Sequence, residues 1–384
     1  MAKAYLCNKN RPVLTVEIEG GNIIAKGEVI DYDHLPICLQ YNLTLESLNK
    51  WMKSRLIPEK REGLKMARQR FPGFENYGNM FSLSDQYWFQ FHPRKESWEK
   101  LNFFTNPYPS LHGDIFFYPW KVDPDSVATI QSPDLATNGV LAKRWIQDPD
   151  TLVSYLLKAG SKTFRQEPLG EVMASITLRR LNLVPSISYE LVVHGMRMCS
   201  KCKNFVTADT EFVPALQIYG VREREALKES VYKHLIDMCN EFGIVGAEDY
   251  ITRMIAADHI LGNTDRHLGN FGFIRSAETG EILGFAPLFD SGTAYWASAK
   301  TQKSKESRLF FEEEARCFRM AIKKINARLV TDTEALKKMT YTYPGLTQKQ
   351  RDGIIMRMEE LSVEVLEGAE KYNRQKEKNE AIAR

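Results

Sequence analysis

One short stretch of the sequence concentrates the side chains that could carry out chemistry. The segment HILGNTDRHLGNFGFI contains Asp265, His267 and Asn270, and the segment EILGFAPLFDSG that follows contains Asp290. Transfer of a phosphoryl group needs an aspartate that accepts the proton of the attacking hydroxyl, and oxygen ligands that hold Mg²⁺ on the phosphates. Asp265 suits the first role, and Asn270 and Asp290 suit the second. The spacing therefore predicts a phosphoryl-transfer and magnesium centre.

A simpler interpretation of the same stretch is an Asx turn before a hairpin. In that case Asn263, Asp265 and Asn270 would be present for hydrogen bonds to their own backbone. Turn chemistry accounts for one or two of these residues. A D-R-H-x-x-N pattern followed by an apolar strand that ends in Asp is harder to obtain in this way, so the pattern favours catalysis.

The residues that carry this pattern also resemble a known family. NTDRHLGNFGFI together with APLFDSG resembles the catalytic and metal-binding loops of HipA-like kinases, which are distantly similar to phosphoinositide and eukaryotic protein kinases. The resemblance extends over about Ser132 to Asp290. SLSDQYWF and the first hundred residues are similar, less diagnostically, to N-terminal parts of bacterial HipA-like proteins.

The resemblance implies a serine/threonine protein kinase that uses ATP and Mg²⁺. Residue by residue, it makes Asp265 the catalytic base, makes Asn270 and Asp290 the magnesium ligands, and places Arg266 and His267 in the catalytic loop. For His267, a bracing role and a direct catalytic role both stay open. The resemblance also makes a toxin or effector role compatible with the sequence.

A kinase needs a cation on the α and β phosphates of ATP. The run GVLAKRWI provides Lys143 in a predicted strand, and its expected carboxylate partner is Glu171, in a predicted helix. An ion pair would hold the lysine in place. Glu167 is the competing candidate, but it precedes Pro168 and is expected to lie before the helix. Either acid could instead only complement the helix dipole.

The turn ATIQSPDLATNG is expected to cover the phosphates, although it lacks GxGxxG. HipA-like kinases resemble this arrangement in using a loop that contains serine and threonine. Backbone amides and hydroxyls at Ser132, Thr137, Asn138 and Gly139 are therefore predicted to contact the phosphates. We also hypothesise self-phosphorylation at Ser132 or Thr137, because their hydroxyls would face the γ-phosphate and because self-phosphorylation occurs elsewhere in the family.

The adenine is expected to lie against a hinge, for which KNFVTADTEFVPA is the candidate. An apolar strand there runs into a polar turn, so the backbone from Lys203 to Phe205 could offer hydrogen bonds to the base. A plain strand without any ligand contact fits the same residues nearly as well.

The surrounding patterns predict an α+β fold. Strand-like runs such as LTVEIEG, with a helical stretch over Thr44–Arg68, predict a smaller N-terminal domain at residues 1–118, a HipA-like accessory region. The run VATIQ, later strands and then helical periodicity predict a two-lobed, protein-kinase-like domain at 119–384. Its strand-rich N-lobe is expected at about 119–208, and its helical C-lobe at about 209–384.

Composition limits the partners that the chain is expected to have. The net charge of +3, from 52 basic and 49 acidic residues, is too small to indicate a nucleic-acid surface. The N-terminus has no apolar signal-peptide region and no stretch is apolar enough to span a membrane, so a cytoplasmic protein is expected. Cys199 and Cys202 form the one CxxC pair, which favours reduced core thiols over a zinc site.

Two other functions stay open at this point. The D-R-H-x-x-N pattern also looks like the loop of phosphoinositide kinases, which allows a lipid or small-molecule kinase, although no basic amphipathic face is visible. A nucleotide-binding pseudokinase that acts as an adaptor would not need the base at Asp265. The expected partners are a protein substrate of unknown identity and, from the resemblance, an antitoxin.

Overall fold

The structure is a computed structural model, and it describes residues 1–74, 79–93, 96–109, 111–123, 131–225, 229–296 and 308–383. Antiparallel sheets and helices are both prominent in these ranges. The mixed α and β composition predicted from the sequence is therefore confirmed. The predicted strand VATIQ falls almost entirely on residues that lie outside these ranges.

The described strands and helices are numbered in chain order. The strands are β1 (Ala2–Asn8), β2 (Arg11–Glu19), β3 (Asn22–Val29), β4 (Tyr87–Phe91), β5 (Lys143–Gln147), β6 (Ser154–Ala159), β7 (Tyr189–His194), β8 (Arg197–Lys203), β9 (Thr210–Pro214), β10 (Gly272–Ser276) and β11 (Ile282–Phe285). The helices are α1 (Ile37–Tyr41), α2 (Leu45–Ser54), α3 (Leu64–Arg70), α4 (Trp98–Leu101), α5 (Leu111–Phe117), α6 (Glu167–Leu181), α7 (Ala215–Tyr219), α8 (Val231–Glu241), α9 (Ala247–Leu261), α10 (Phe311–Ala321), α11 (Ala327–Val330), α12 (Glu334–Thr342) and α13 (Gln348–Ala383).

The chain forms two units. The first unit comprises Met1–Lys158, Lys201–Val221 and Gly272–Gly284, and the second unit comprises Ala159–Ser200, Arg222–Phe271 and Phe285–Arg384. The domain limits expected from the sequence, after residue 118 and near residue 208, stay predictions. No helix in the described ranges is both long enough and apolar enough to cross a membrane.

The first unit begins with a four-stranded antiparallel sheet in the order β3-β2-β1-β4. Ala4 and Leu6 of β1 lie in a buried cluster with Leu48 and Met52 of α2, because alternate residues of a strand share one face. This apolar face of α2 was recognisable from its helical spacing. The unit also contains the antiparallel pair β5 and β6 and the three-stranded sheet in the order β11-β10-β9.

The helical stretch predicted over Thr44–Arg68 is interrupted in the structure. α2 ends at Ser54, and α3 begins only at Leu64. Pro58 lies between them and has no N–H to donate to a helical hydrogen bond. Gly63, at the start of α3, has a φ of +87°, a left-handed conformation that favours glycine. The predicted single helix is therefore wrong, and the chain between α2 and α3 is a connecting segment.

A buried arginine joins the sheets of the first unit. Arg275 of β10 is 1% exposed and pairs with Glu211 of β9 at 2.8 Å. Its guanidinium also donates to the hydroxyl of Tyr87 at 2.8 Å and to the carbonyls of Asp33 and Leu35, at 2.6 and 3.0 Å. One side chain therefore connects β9 and β10 with the N-terminal sheet and its following loop.

We expect Arg275→Met to lower the free energy of unfolding by about 3–5 kcal/mol, because the change leaves the Glu211 carboxylate buried without its counter-charge. The control is Arg68→Met, whose guanidinium pairs with Glu59 at the surface, and for which a loss below about 1 kcal/mol is expected. Urea denaturation measures both. Equal small losses in the two variants would contradict the structural role of Arg275.

Candidate active site

The predicted catalytic residues lie in a tight loop of the second unit, directly after α9. The helix ends at Leu261, and the φ of +61° at the next residue, Gly262, turns the chain out of the helix. The backbone N–H of His267 donates to the carbonyl of Asp265 at 3.0 Å, and that of Asn270 donates to the carbonyl of His267 at 2.8 Å. The side-chain Nδ2 of Asn270 also donates to the carbonyl of Asp265, at 3.1 Å. This bond uses Nδ2 of Asn270 and does not involve Oδ1, which is the atom that a magnesium ion would bind.

Arg266 joins this loop to the segment that contains Asp290. Its buried guanidinium donates through Nη1 to the carbonyl of Asn270 at 2.7 Å and to that of Phe289 at 2.6 Å. Through Nη2 it donates to the hydroxyl of Ser291 at 3.0 Å. One guanidinium therefore binds the carbonyl of Asn270 and both neighbours of Asp290, Phe289 and Ser291.

A carboxylate of α9 compensates the charge of this buried arginine. Asp258 accepts from Nε of Arg266 at 2.8 Å and from Nη2 at 3.0 Å, a bidentate pair. Burial alone would lower the pKa of Arg266, but the carboxylates of Asp258 and, more weakly, Asp290 raise it above its ordinary value. Arg266 therefore stays positively charged at neutral pH.

Asp290 has a left-handed backbone conformation, with a φ of +57°. Its backbone N–H donates to the hydroxyl of Tyr189, on β7, at 3.2 Å. The predicted strand APLFD appears only as an isolated parallel bridge between Ser186 and Leu288. Because Asp and Asn tolerate this conformation better than other non-glycine residues, Asp290 can end the apolar segment in a sharp turn with its carboxylate half-buried.

The Asx-turn interpretation holds for Asn263. Its Nδ2 donates to Asp258 at 2.7 Å, and its Oδ1 accepts from the hydroxyl of Thr293 at 2.5 Å and from the backbone N–H of Asp265 at 3.5 Å. His267 has an exposed ring whose Nδ1 accepts from the backbone N–H of Gly269 at 3.1 Å. These two side chains therefore brace the loop.

A histidine near the end of α9 ties that helix to its neighbours. His259 lies 2.8 Å from Glu364 of α13 and 3.5 Å from Glu314 of α10. Burial would lower the pKa of His259, but the two carboxylates raise it to about 9. The imidazolium thus carries a positive charge at neutral pH and joins three helices one turn before the loop.

The predicted phosphate-binding residues lie in the first unit. Gly139 has a φ of +104°, and a Cβ atom placed there would lie 3.0 Å from Cε of Lys143 and in overlap with its ammonium group. The lysine therefore lies directly against the predicted phosphate loop, and the φ of +104° favours glycine at this position. Lys143 itself is 7% exposed, at the first position of β5.

The hydroxyls of the same loop point inward in this structure. Ser132 caps a short 3-10 helix: its hydroxyl accepts from the N–H of Asp134 at 3.2 Å and donates to its carboxylate at 3.0 Å. Thr137 donates to the carbonyl of Pro133 at 2.6 Å and accepts from Nε1 of Trp145 at 2.8 Å. Burial raises the pKa of Asp134 to about 6, against the hydrogen bonds that it accepts. Both hydroxyls are thus buried within the first unit, and their contact with phosphate stays a prediction.

A second buried lysine was missed in the sequence. Lys158 of β6 is 6% exposed and lies directly opposite Lys143 in the antiparallel register. Opposed residues of such a pair share one face of the sheet, so both ammonium groups belong to the same face of β5 and β6. The signal for Lys158 was available, since it directly follows the apolar run YLL and is followed by Ala159 and Gly160. The pair of lysines is the stronger candidate for a phosphate contact than Lys143 alone.

Glu171 lies in α6, in the second unit. It is 2% exposed and accepts a hydrogen bond from the hydroxyl of Ser200. Glu167 was expected before the helix, but α6 begins at Glu167. The expectation is wrong because Pro168 occupies the first turn, where a missing N–H costs no helical hydrogen bond. The ion pair predicted between Lys143 and Glu171 joins residues of different units and stays a prediction.

The candidate hinge residues, Lys203 to Phe205, begin at the last residue of β8. The side chain of Lys203 is exposed, and the ring of Phe205 packs edge-on against Phe212 with centroids 5.6 Å apart. Between them, the backbone N–H of Asn204 donates to the carbonyl of Ser154 at 2.9 Å. The strand ends at Lys203, so the predicted strand over KNFVT is a connecting segment rather than a strand. Its contact with adenine stays a prediction.

The residues present suit magnesium better than a metal that needs many protein ligands. In the described part of the chain, no three His, Cys, Asp or Glu side chains are grouped to hold a metal ion. Magnesium keeps several waters and needs only one or two protein oxygens besides the phosphates. Asn270 and Asp290, held in one loop network by Arg266, offer that number of ligands.

Comparisons with known proteins show what this chain is similar to. No family model matches the chain. Over 103 residues it is 31% identical to the serine/threonine-protein kinase CtkA of Helicobacter pylori strain J99. The matched part covers 26% of this chain and 31% of CtkA. Part of the chain is therefore similar in sequence to a serine/threonine-protein kinase. The resemblance found in the sequence is thereby confirmed, although the matched part spans about a third of the length of CtkA.

The fold is similar to that of HipA from Shewanella oneidensis MR-1, solved in complex with HipB and its operator DNA. The TM-score is 0.58 at 12% identity, over 94% of this chain and 96% of that chain. A crystal structure of CtkA from Helicobacter pylori aligns with a TM-score of 0.47 at 16% identity, over 62% of this chain and 93% of that chain. The overall fold of this chain is thus a HipA-like one.

The lysine pair leads to a prediction about ATP binding. We expect Lys143→Met and Lys158→Met each to weaken ATP binding by about tenfold or more, because each removes a buried cation from the same face of the sheet. The control is Lys201→Met, whose ammonium lies over the ring of Tyr155 at 4.4 Å. Isothermal titration measures the three variants. An effect in only one of Lys143 and Lys158 would contradict the shared site.

Proposed function

We propose that this chain is an ATP- and magnesium-dependent serine/threonine protein kinase of the HipA-like type. The single observation that carries the proposal is the Arg266 network. It holds the Asp265 to Asn270 loop and the Asp290 segment on one buried guanidinium, which is itself paired with Asp258. A phosphoryl-transfer site needs a base and metal ligands in one rigid arrangement.

In this proposal, each residue has one role. The Asp265 carboxylate orients the acceptor hydroxyl and takes up its proton as the oxygen attacks the γ-phosphorus. Oδ1 of Asn270 and the Asp290 carboxylate hold magnesium, which when bound neutralises charge on the phosphates. Lys143 and Lys158 contact the α and β phosphates. Because the base lies in a loop fixed by main-chain bonds, little reorganisation is needed at the moment of transfer.

The proposal extends to the parts of the chain around this centre. It includes the two-lobed architecture predicted from the sequence, with an ion pair between Lys143 and Glu171, and adenine bound by the backbone from Lys203 to Phe205. The solved HipA structure contains HipB and operator DNA, and it motivates the proposal of an antitoxin partner for this chain. The near balance of 52 basic and 49 acidic residues supports protein rather than nucleic acid as that partner.

Self-phosphorylation at Ser132 or Thr137 is part of the proposal. Because both hydroxyls are buried and hydrogen-bonded, the loop has to rearrange before either of them can accept a phosphate. Peptide mapping after incubation with magnesium and ATP tests this step. A modification found solely outside residues 132–139 would reject it.

The test of the proposed function follows the label from γ-labelled ATP in the presence of magnesium. Reactions contain the purified chain with a generic protein substrate, with phosphoinositide vesicles, or with a panel of small alcohols. Label on serine or threonine of protein supports the proposal. Label on a lipid or a small molecule supports the alternative kinase instead, and ATP binding without any transfer supports a pseudokinase.

A further inference from the structure

The predicted phosphate loop is held from one side by a segment that lies about eighty residues earlier in the chain. One carbonyl of this loop and two carbonyls of the residues just after it accept hydrogen bonds there. Arg61 donates through Nη2 to the carbonyl of Thr137 and through Nη1 to that of Leu141, at 3.4 Å for the second. The backbone N–H of Glu62 donates to the carbonyl of Val140 at 2.7 Å. All of these residues belong to the first unit.

The direction of these carbonyls fixes the direction of the neighbouring N–H groups. In a trans peptide, the C=O and the following N–H point in opposite directions. The N–H groups of Asn138, Leu141 and Ala142 therefore point away from Arg61 and Glu62. Several backbone N–H groups directed to the same side make a site for an anion such as phosphate.

The ammonium group of Lys143 lies at the same loop, against Gly139. A cation and a set of outward N–H groups are thus combined within a few residues. Arg61 holds the carbonyls on the opposite side of the loop. If they turned toward the ammonium and N–H groups, they would compete with phosphate for these donors. This arrangement needs a residue that can bind two carbonyls at once, and the planar guanidinium provides such a fork.

Arg61 is fixed in place by its surroundings. It is 3% exposed, and its guanidinium lies over the ring of Phe116 at 5.7 Å. Gly63 approaches the same residue so closely that a Cβ there would lie 2.8 Å from the carbonyl oxygen of Phe116. Burial lowers the pKa of Arg61 to about 10, and the nearby Asp134 opposes that shift. The side chain is therefore a rigid, charged support under the loop.

We propose that Arg61 is a positioning residue for the nucleotide phosphates, acting through the carbonyls of Thr137 and Leu141 to direct the loop's N–H groups outward. The inference rests on the proposed function, because it assumes that ATP binds at this loop. It also gives the N-terminal region, expected from the sequence to be an accessory region, an indirect part in phosphate binding.

The test compares ligands that differ only in their phosphates. Binding of ADP and of adenosine to the full chain is measured by isothermal titration for the wild type, Arg61→Met, Arg61→Lys and the surface control Arg68→Met. We expect Arg61→Met to weaken ADP binding by about tenfold or more and to leave adenosine binding within about twofold of the wild type. The ADP affinity of Arg61→Lys is expected to lie between those of the wild type and Arg61→Met. A lysine ammonium can replace one of the two carbonyl contacts, but it does not reproduce the forked geometry of the guanidinium.

The split between the two ligands separates positioning from general destabilisation. If Arg61→Met loses ADP and adenosine affinity equally, or keeps the wild-type affinity for both, the inference is overturned. The proposed function stays intact in either case, as long as the wild-type chain binds ADP. If Arg61→Met does not unfold cooperatively, the comparison is made with Arg61→Lys, and a wild-type ADP affinity in that variant overturns the inference. A wild-type chain that binds neither ADP nor ATP overturns both the inference and the proposed function.

Discussion

Replacing Asp265 with Asn is expected to leave Mg–ATP binding unchanged and to slow phosphoryl transfer by at least about a hundredfold. The amide has nearly the same shape as the carboxylate but cannot take up the proton of the acceptor hydroxyl. The backbone carbonyl of Asp265 accepts hydrogen bonds from Asn270 and His267, and its backbone N–H donates to Asn263, so the substitution retains these three bonds. The loop should therefore keep its geometry in the variant.

Single-turnover transfer at saturating Mg–ATP measures this effect, with ATP affinity measured on the same samples. The matched control is Asp249→Asn, an exposed carboxylate of α9 that pairs with Arg253 and Lys324. It should transfer phosphate at the wild-type rate. If Asp265→Asn does so too, Asp265 is not the base.

The second large effect is expected at Asp290. Asp290→Asn should raise the concentration of Mg²⁺ needed for half-maximal transfer by about tenfold or more, and should lower the maximal rate by at least about a hundredfold. Asparagine is the appropriate replacement because the backbone has a φ of +57°, which Asn tolerates well. The N–H that donates to Tyr189 is also retained. The change in Mg²⁺ dependence and in rate should thus result only from removal of the negative charge of Asp290.

Transfer rates over a series of Mg²⁺ concentrations give both quantities. Asp290→Ala adds a backbone cost of about 1–2 kcal/mol for the left-handed conformation, so it should lose stability as well as activity. The control Asp332→Asn removes an exposed carboxylate from the same unit and should change neither quantity. An unchanged Mg²⁺ dependence in Asp290→Asn would exclude this residue as a metal ligand.

Residues that lie close together in the sequence were the ones that could be predicted. Asp265 and Asn270 belong to one short turn, and Asp290 ends the apolar segment that follows, so their types and spacing were sufficient to indicate a common chemistry. The face of α2 was also visible, because its apolar residues follow the helical repeat. Local patterns of this kind depend only on backbone geometry and side-chain type.

Contacts between distant residues could not be predicted in this way. Arg266 was visible in the loop, but its bonds to Asp258 and to the carbonyl of Phe289 depend on how the chain folds back. The register that sets Lys158 opposite Lys143 depends on strand pairing. Likewise, the support that Arg61 gives to the phosphate loop joins residues more than seventy positions apart. These contacts follow from tertiary packing, which a linear pattern does not encode.

The central claim is that this chain transfers the γ-phosphoryl group of ATP to protein, and the most direct measurement compares two labels. The wild-type chain is incubated with γ-labelled or α-labelled ATP, with and without magnesium, and the acid-stable label on serine and threonine is determined. We predict label from γ-labelled ATP only, and only with magnesium present. Label that comes from the α position would mean that the site transfers a nucleotidyl group, and no label from either ATP would mean that it does not transfer phosphate to protein; both results would contradict the proposed function.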